Sequence, residues 1–382
     1  MLTSPVRLTS FLVKIASRCN LACDYCFMYK HADQTWRSQP AIMSDEVTAA
    51  LARRLGEYVC QEDIAAISVI FHGGEPLLAG AHRLAETVHR VREAVPQRTT
   101  ISFSLQTNGT LLDEESLGLL AGAGIWVSLS IDGGKKAHDL HRLDHRGRSS
   151  FEKTLKALEL LEGNRKVYGG LISVIDPCVT PEELFEFFGP RRPPQWDFLL
   201  PDAHHERRPP GRDLDPSLYQ RWLLRAFDIW FDQYPEIPVR TFDSILGACA
   251  GLPSETDSFG FGIPNLLTIE TDGSYHNHDV LKITESGATS LDLNLNHHKI
   301  SEAARSPKLL FHRSLLCLDG LAEECQRCPE VNVCGGGAVP HRYSHSGLRN
   351  PTVYCFEMLS LIGHARKRID GILASPCGHD HY

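Results

Sequence analysis

The chain has 382 residues, 42% hydrophobic and 23% charged, with a net charge of −8, enough length for a large core and two or three domains. The acidic balance argues against nucleic acid or an anionic membrane surface as the main partner. The apolar piece at residues 11–16, short and interrupted by Lys14, is neither a signal sequence nor a membrane span, so the protein reads as cytoplasmic, where its 12 cysteines point to metal ligands rather than a disulfide scaffold.

Strands and helices alternate along the chain. The first predicted strand, at residues 11–17, runs straight into the stretch 18–29, which sets Cys19, Cys23 and Cys26 on one turn. Ser44 caps a helix with the apolar stripe Val47, Leu51, Leu55 and Tyr58. Further strands are predicted at 67–71, 101–106, 125–131, 170–175 and 196–200. Helices lie around Leu84 to Val91, from Asp113 onward and over 151–161, and Thr180-Pro181-Glu182-Glu183 opens another as a capping box. Six β/α alternations imply parallel strands joined by right-handed crossovers, either an open doubly wound sheet or a partial barrel. Residues 206–215 read as a linker. A helix over 217–233 carries an aromatic stripe, Tyr219, Trp222, Phe227 and Trp230, taken as core. After residue 260 the periodicity changes: 266–270 and 275–280, split by Thr271-Asp272-Gly273-Ser274, form a predicted hairpin. The expected division is a barrel over 1–210, a linker with bridging helices over 211–260, and a cysteine-rich domain over 261–382.

Each polar or glycine-rich cluster falls at the C-terminal end of a strand, where parallel α/β folds keep their chemistry. The cysteine turn follows strand one, Gly73-Gly74-Glu75-Pro76 strand two, Asn108-Gly109 strand three, Ser130-Ile131-Asp132-Gly133 strand four, and His204-His205 strand six. Three thiols are one ligand short of a closed tetrahedral site and leave an iron of a cluster open; a structural zinc site is the competing reading. Glycines let the backbone approach a bound molecule, and a carboxylate can accept bonds from a ligand's ammonium group. Asn-Gly and Asp-Gly also serve as plain turns. A second group, Cys325, Cys328 and Cys334 with Cys355 beyond, suits zinc or iron–sulfur, and Cys317 could replace a ligand. Cys60, Cys178, Cys249 and Cys377 stand alone and read as ordinary thiols. His204, Asp243, Asp272 and Asp279 are candidate general bases, with no geometry in the sequence to choose among them.

The Cys-x3-Cys-x2-Cys turn followed by Phe27, with Gly-Gly-Glu-Pro one strand later, resembles the signature of the radical SAM superfamily. The stretch from Cys325 to Cys355 resembles the SPASM extension of radical SAM peptide maturases. Blocks at 24–37, 239–246, 270–275 and 334–343 look like the cyclophane-forming maturases of the FxsB type. The resemblance implies a partial (β/α)6 TIM-type barrel with a C-terminal SPASM-like auxiliary-cluster domain. It implies a [4Fe–4S] cluster on Cys19, Cys23 and Cys26 whose open iron is chelated by S-adenosylmethionine. Gly73, Gly74, Glu75 and Pro76 would meet the methionyl amino group, and Ser130 and Arg142 the ribose or carboxylate. Asn108 and Asp132 would be either cofactor contacts or turns.

One auxiliary [4Fe–4S] cluster would be ligated by Cys325, Cys328, Cys334 and Cys355. The fuller seven-cysteine pattern is absent: Ala338 stands where its run would end, and no cysteine lies between Gly251 and Leu316. The implied reaction joins an aromatic ring carbon to a nearby β-carbon in a ribosomally made precursor peptide, started by a 5′-deoxyadenosyl radical and fed by flavodoxin or ferredoxin. The first strand begins too early for a separate peptide-recognition domain in front of it. The alternatives are formylglycine formation of the sulfatase-maturase type, a thioether crosslink, and a non-catalytic iron–sulfur carrier, which has no need of a cofactor cradle.

Overall fold

A computed structural model of the chain describes residues 4–254, 256, 258–262 and 265–374, the side chains of 373 and 374 excepted; Cys377 lies outside them. Six strands form within two residues of their expected positions: β1 (Ser10–Ala16), β2 (Ala66–Gly73), β3 (Thr100–Thr107), β4 (Ile125–Ser130), β5 (Tyr168–Val174) and β6 (Trp196–Leu199). They pair in parallel in the order β6-β5-β4-β3-β2-β1. That order never reverses, so right-handed crossovers bring every helix to the same face and the sheet curls. The result is the expected partial barrel, not a doubly wound sheet.

The crossovers carry α1 (Asp45–Gln61), α2 (Ala81–Ala94), α3 (Glu114–Gly122), α4 (Lys135–Asp139), α5 (Phe151–Gly163) and α6 (Pro181–Phe188). Ser44 accepts from the Val47 amide at 3.3 Å to start α1, and Thr180 with Glu183 closes the capping box of α6. Strand alternation decides which side chains enter the barrel. On β3, Phe103, Leu105 and Thr107 are buried beneath the helices, while Ser104 and Gln106 face a polar interior shared with His72 and Ser128.

The predicted hairpin is not confined to the cysteine-rich region. Its first arm, β7 (Leu266–Ile269), pairs in parallel with β1, and β8 (Ser274–His276) and β9 (Ser290–Asn294) follow antiparallel, giving one nine-stranded sheet. The second arm, expected to reach residue 280, ends at His276. The chain turns there into a 3-10 segment, Asp279–Ile283, whose Asp279 and Lys282 are buried in ion pairs with Lys14 (2.5 Å) and Glu270 (2.7 Å). Two long-range charge pairs override the strand periodicity.

Beyond β6 come α7 (Leu218–Gln233), α8 (Arg240–Cys249) and a C-terminal helix, Cys355–Ala374, which pack on one another. Tyr219, Trp222, Phe227 and Trp230 are buried, as the stripe implies. The Trp222 and Trp230 indoles donate to the carbonyls of Val179 (2.7 Å) and Ile237 (2.8 Å), so their polar edges carry no desolvation penalty. Among the described residues no helix is long and apolar enough to cross a membrane.

Candidate active site

The loop after β1 is held from its base. The Arg18 guanidinium donates to the carbonyls of Trp36 (2.6 Å), Arg37 (3.2 Å) and Gln39 (3.2 Å) and lies over the Trp36 ring. Within this frame Cys19, Cys23 and Cys26 are half-buried and close enough for their charges to act on one another. Burial pushes the Cys19 thiol up to about 12 and the Cys26 thiol to about 11. Iron binding must therefore displace protons from this turn. Among the described residues no three His, Cys, Asp or Glu side chains gather closely enough for a single metal ion. Three soft, partly exposed donors on one turn fit a larger cluster with an open iron.

The Gly-Gly-Glu-Pro turn serves the chain more directly than the sequence implies. A Cβ on Gly73, at φ +135°, would sit 1.9 Å from the Ala16 carbonyl oxygen, and one on Gly74 would sit 2.0 Å from the Tyr29 hydroxyl. The close approach that these glycines permit is therefore to the cysteine loop itself. Glu75 is fully buried, and its carboxylate accepts from the Leu77 amide (2.9 Å), the Thr107 hydroxyl (2.7 Å) and the Asn108 amide (2.8 Å). Through these bonds Glu75 braces the ends of β2 and β3. Pro76 opens the short 3-10 turn Pro76–Ala79 and is buried.

The strand-three and strand-four motifs converge on the cysteines. Asn108 donates through Nδ2 to Asn20 at 2.9 Å and approaches the Cys19 sulfur at 3.7 Å. Ser130 accepts from Gln106 Nε2 at 2.7 Å. Asp132 is buried and takes the Tyr25 hydroxyl at 2.5 Å and Arg142 Nε at 2.9 Å on one oxygen, with the Val174 amide at 3.1 Å on the other. Arg142 is paired to Asp132 and lies over the Tyr25 ring. Asp132 is more than a turn residue, because it ties the cysteine loop to β4 and β5.

Of the candidate bases, geometry separates one. Asp272 holds its own hairpin, accepting from the Ser274 amide (2.9 Å) and hydroxyl (2.6 Å). Asp243 is exposed on α8. His204 is buried against Tyr343 and accepts from the Glu206 amide at 3.2 Å. Asp279 lies inside the protein, where Lys14 donates to it at 2.5 Å and also reaches His72 Nδ1 (2.9 Å) and the Met28 sulfur (3.1 Å). Burial raises the Asp279 carboxyl, but Lys14, with His72 and His278, brings it well below the usual carboxylate range. Burial and then the Lys14 charge hold His72 neutral, at about 3. Lys14 was the missed residue, and its signal was a charge inside an otherwise apolar strand.

The second cysteine group also assembles. The charges of Cys325, Cys328 and Cys355 all act on Cys334, which is buried. Cys317 is exposed, and its thiol meets the Arg313 carbonyl at 3.6 Å. Residues flanking both cysteine groups line a cavity of about 180 Å³. Tyr25 and Phe27 of the cysteine loop line it, with Phe198 of β6, Val280 beside Asp279, and Ala338 and His341.

The radical SAM superfamily model matches residues 13–188. Over 336 residues the chain is 27% identical to the cysteine-type anaerobic sulfatase-maturating enzyme of Clostridium perfringens, spanning 86% of this chain and 88% of that protein. It is 34% identical over 173 residues to the serine-type enzyme of Klebsiella aerogenes, spanning 45% of this chain and 41% of the relative. The structure of native anSMEcpe with bound AdoMet superposes with a TM-score of 0.82 at 26% identity, covering 96% of this chain and all (100%) of that one. Streptococcus suis SuiB bound to precursor peptide SuiA shares the fold, with a TM-score of 0.60 at 12% identity over 90% of this chain and 75% of that one. These sequence relatives are sulfatase-maturating enzymes rather than the cyclophane-forming maturases whose blocks the chain resembles.

Proposed function

We propose that this chain is a radical SAM enzyme, a reading that the match over residues 13–188 supports, and that it oxidises a side chain of a peptide or protein at its β-carbon, as formylglycine-forming sulfatase maturases do. The observation that carries this reading is the cavity with walls from the cysteine loop and from the segment after Cys334. A side chain lodged there would lie against residues that flank both cysteine groups.

Cys19, Cys23 and Cys26 would hold the [4Fe–4S] cluster, and the polar ends of β3 and β4, Asn108 and the Gln106–Ser130 pair, would face S-adenosylmethionine. When bound, that group supplies a carbon-radical oxidant able to take one hydrogen atom from a β-carbon. The chain's own work is to position that C–H bond, exclude competing reactions and receive a proton. A cysteine side chain that loses one hydrogen atom, one electron and one proton becomes a thioaldehyde, which water converts to the aldehyde with release of hydrogen sulfide. Asp279, ionised by its pairing with Lys14 and next to the wall residue Val280, is the proton acceptor in this reading. The S–H of a β-carbon radical is far more acidic than that of the parent thiol, so a weak base suffices. Cys325, Cys328, Cys334 and Cys355 would hold an auxiliary [4Fe–4S] cluster as the electron's exit, and a flavodoxin or ferredoxin would be the outside donor.

A second reading, the cyclophane crosslink, is favoured by where the resembling blocks fall: Arg240 and Thr241 from one, and Ala338 and His341 from another, line the cavity. Anaerobic incubation of the reconstituted protein with dithionite, S-adenosylmethionine and a cysteine-containing sulfatase peptide tests the primary reading. Expected are deoxyadenosine and a peptide carbonyl captured by hydrazide. Failure to form either overturns it. Loss of two hydrogens from an aromatic-containing peptide, with no carbonyl, would shift the conclusion to the crosslink.

A further inference from the structure

The run Gly335-Gly336-Gly337 after Cys334 has a structural task that the proposed reaction does not use. All three glycines take positive φ (61°, 82° and 74°), and their chain curls around the Arg342 guanidinium. Arg342 Nε donates to the Gly337 carbonyl at 3.0 Å, Nη1 to that of Leu315 at 2.8 Å, and Nη2 to that of Gly335 at 2.9 Å. A Cβ on Gly336 would come within 3.2 Å of the guanidinium carbon, so the cradle tolerates no side chain there.

Arg342 is 1% exposed, and among the described residues no carboxylate pairs with it. Burying a lone cation is unfavourable unless an anion answers it, and carbonyl dipoles answer it only in part. The neighbours whose negative charge acts on Arg342 are Cys325 and Cys334. Both belong to the proposed auxiliary group. Four thiolates around a [4Fe–4S] core make a net anion, and one-electron reduction adds a further negative charge.

We propose that Arg342, held by the three-glycine cradle through the Gly335 carbonyl next to Cys334, is the buried counter-cation of the auxiliary cluster, and that it raises the cluster's reduction potential. This rests on the reading that these cysteines hold a cluster. Net charge and burial are among the factors that set such potentials, and a fixed cation favours the more negative, reduced form. Arg342 is thus a tuning residue and touches no substrate.

The test uses the full chain with Cys19, Cys23 and Cys26 all changed to Ala, so that only the auxiliary site can load. Reconstituted protein is titrated by EPR-monitored reduction. Arg342→Gln is expected to shift the midpoint potential negative, while Arg342→Lys, which keeps the charge but loses the fork of carbonyl bonds, stays near the parent. Should Arg342→Gln fail to load iron, Arg342→Lys decides: loading with a potential near the parent supports the role, and a shift or no loading overturns it. A loaded Arg342→Gln protein with unchanged potential also overturns it. A parent that binds no iron at this site would instead remove the cluster reading on which the proposal stands.

Discussion

Lys14 and Asp279 lie 265 positions apart and meet at 2.5 Å, one at the end of β1 and the other just after β8. The pair ties the first strand of the barrel to the segment between β8 and β9. Lys14→Met leaves the Asp279 carboxylate buried without its cation, and the expected loss is about 3–5 kcal/mol. Lys14→Met with Asp279→Leu should recover much of it, since the buried charge goes too. Urea denaturation of the three variants checks the order. Because the Asp279 carboxyl is depressed, the pair's contribution is present above the ordinary carboxylate range and is lost only as pH falls well below it.

Gly74→Ala is expected to disrupt the cysteine loop even though no ligand is involved. Its Cβ would sit 2.0 Å from the Tyr29 hydroxyl and 2.3 Å from the Arg18 carbonyl oxygen, and the latter is backbone that cannot step aside. The expected cost is about 1–3 kcal/mol, with reduced iron at the first cluster. Thermal melts of the iron-free protein isolate the packing effect. An unchanged melting temperature there would show that the glycine is needed only by a bound molecule.

Much of this was legible in the sequence because it is local. Strand alternation, the caps at Ser44 and Thr180 and the stripe on α7 depend on neighbours a few residues away. The cysteine spacings likewise announce themselves. What the sequence did not carry was partner choice over long distance. That Glu75 braces Thr107 across the ends of β2 and β3 is visible only in the packed strands. Asp272 and Asp279 look equivalent on a predicted hairpin, yet the first serves its own turn and the second leaves the sheet to meet Lys14.

His141 gives a pH signature. Its ring bridges Asp176 and Asp24, both at 2.8 Å, and the Asp176 bond first, with the Asp24 bond, raises it to about 9 against the cost of burial. A raised histidine contributes stability that is complete below its unfolded value near ~6.5 and is lost as pH rises through the folded value. The stability difference between wild type and His141→Gln should therefore shrink between pH ~6.5 and about 9. Melting temperatures across that window test it, and a difference that stays constant would show that the imidazole contributes as a neutral spacer.

Arg142 couples the same loop to iron uptake. It is buried, pairs with Asp132 at 2.9 Å and lies over Tyr25, whose hydroxyl shares the same carboxylate oxygen. Tyr25→Phe removes one neutral donor, and about 1 kcal/mol is the expected cost. Arg142→Met strands the Asp132 charge in the interior and should cost about 3–5 kcal/mol. Its chemical effect is the more specific one. Burial raises the Cys23 thiol and the Arg142 charge opposes that rise, while Asp132 adds to it. Without Arg142 the thiol is harder to ionise, so iron incorporation at Cys19, Cys23 and Cys26 should need a higher pH. Iron bound against pH, in protein with Cys325, Cys328, Cys334 and Cys355 replaced by Ser, measures this site alone. A profile for Arg142→Met that overlays its parent would show that the arginine braces the loop without tuning its thiols.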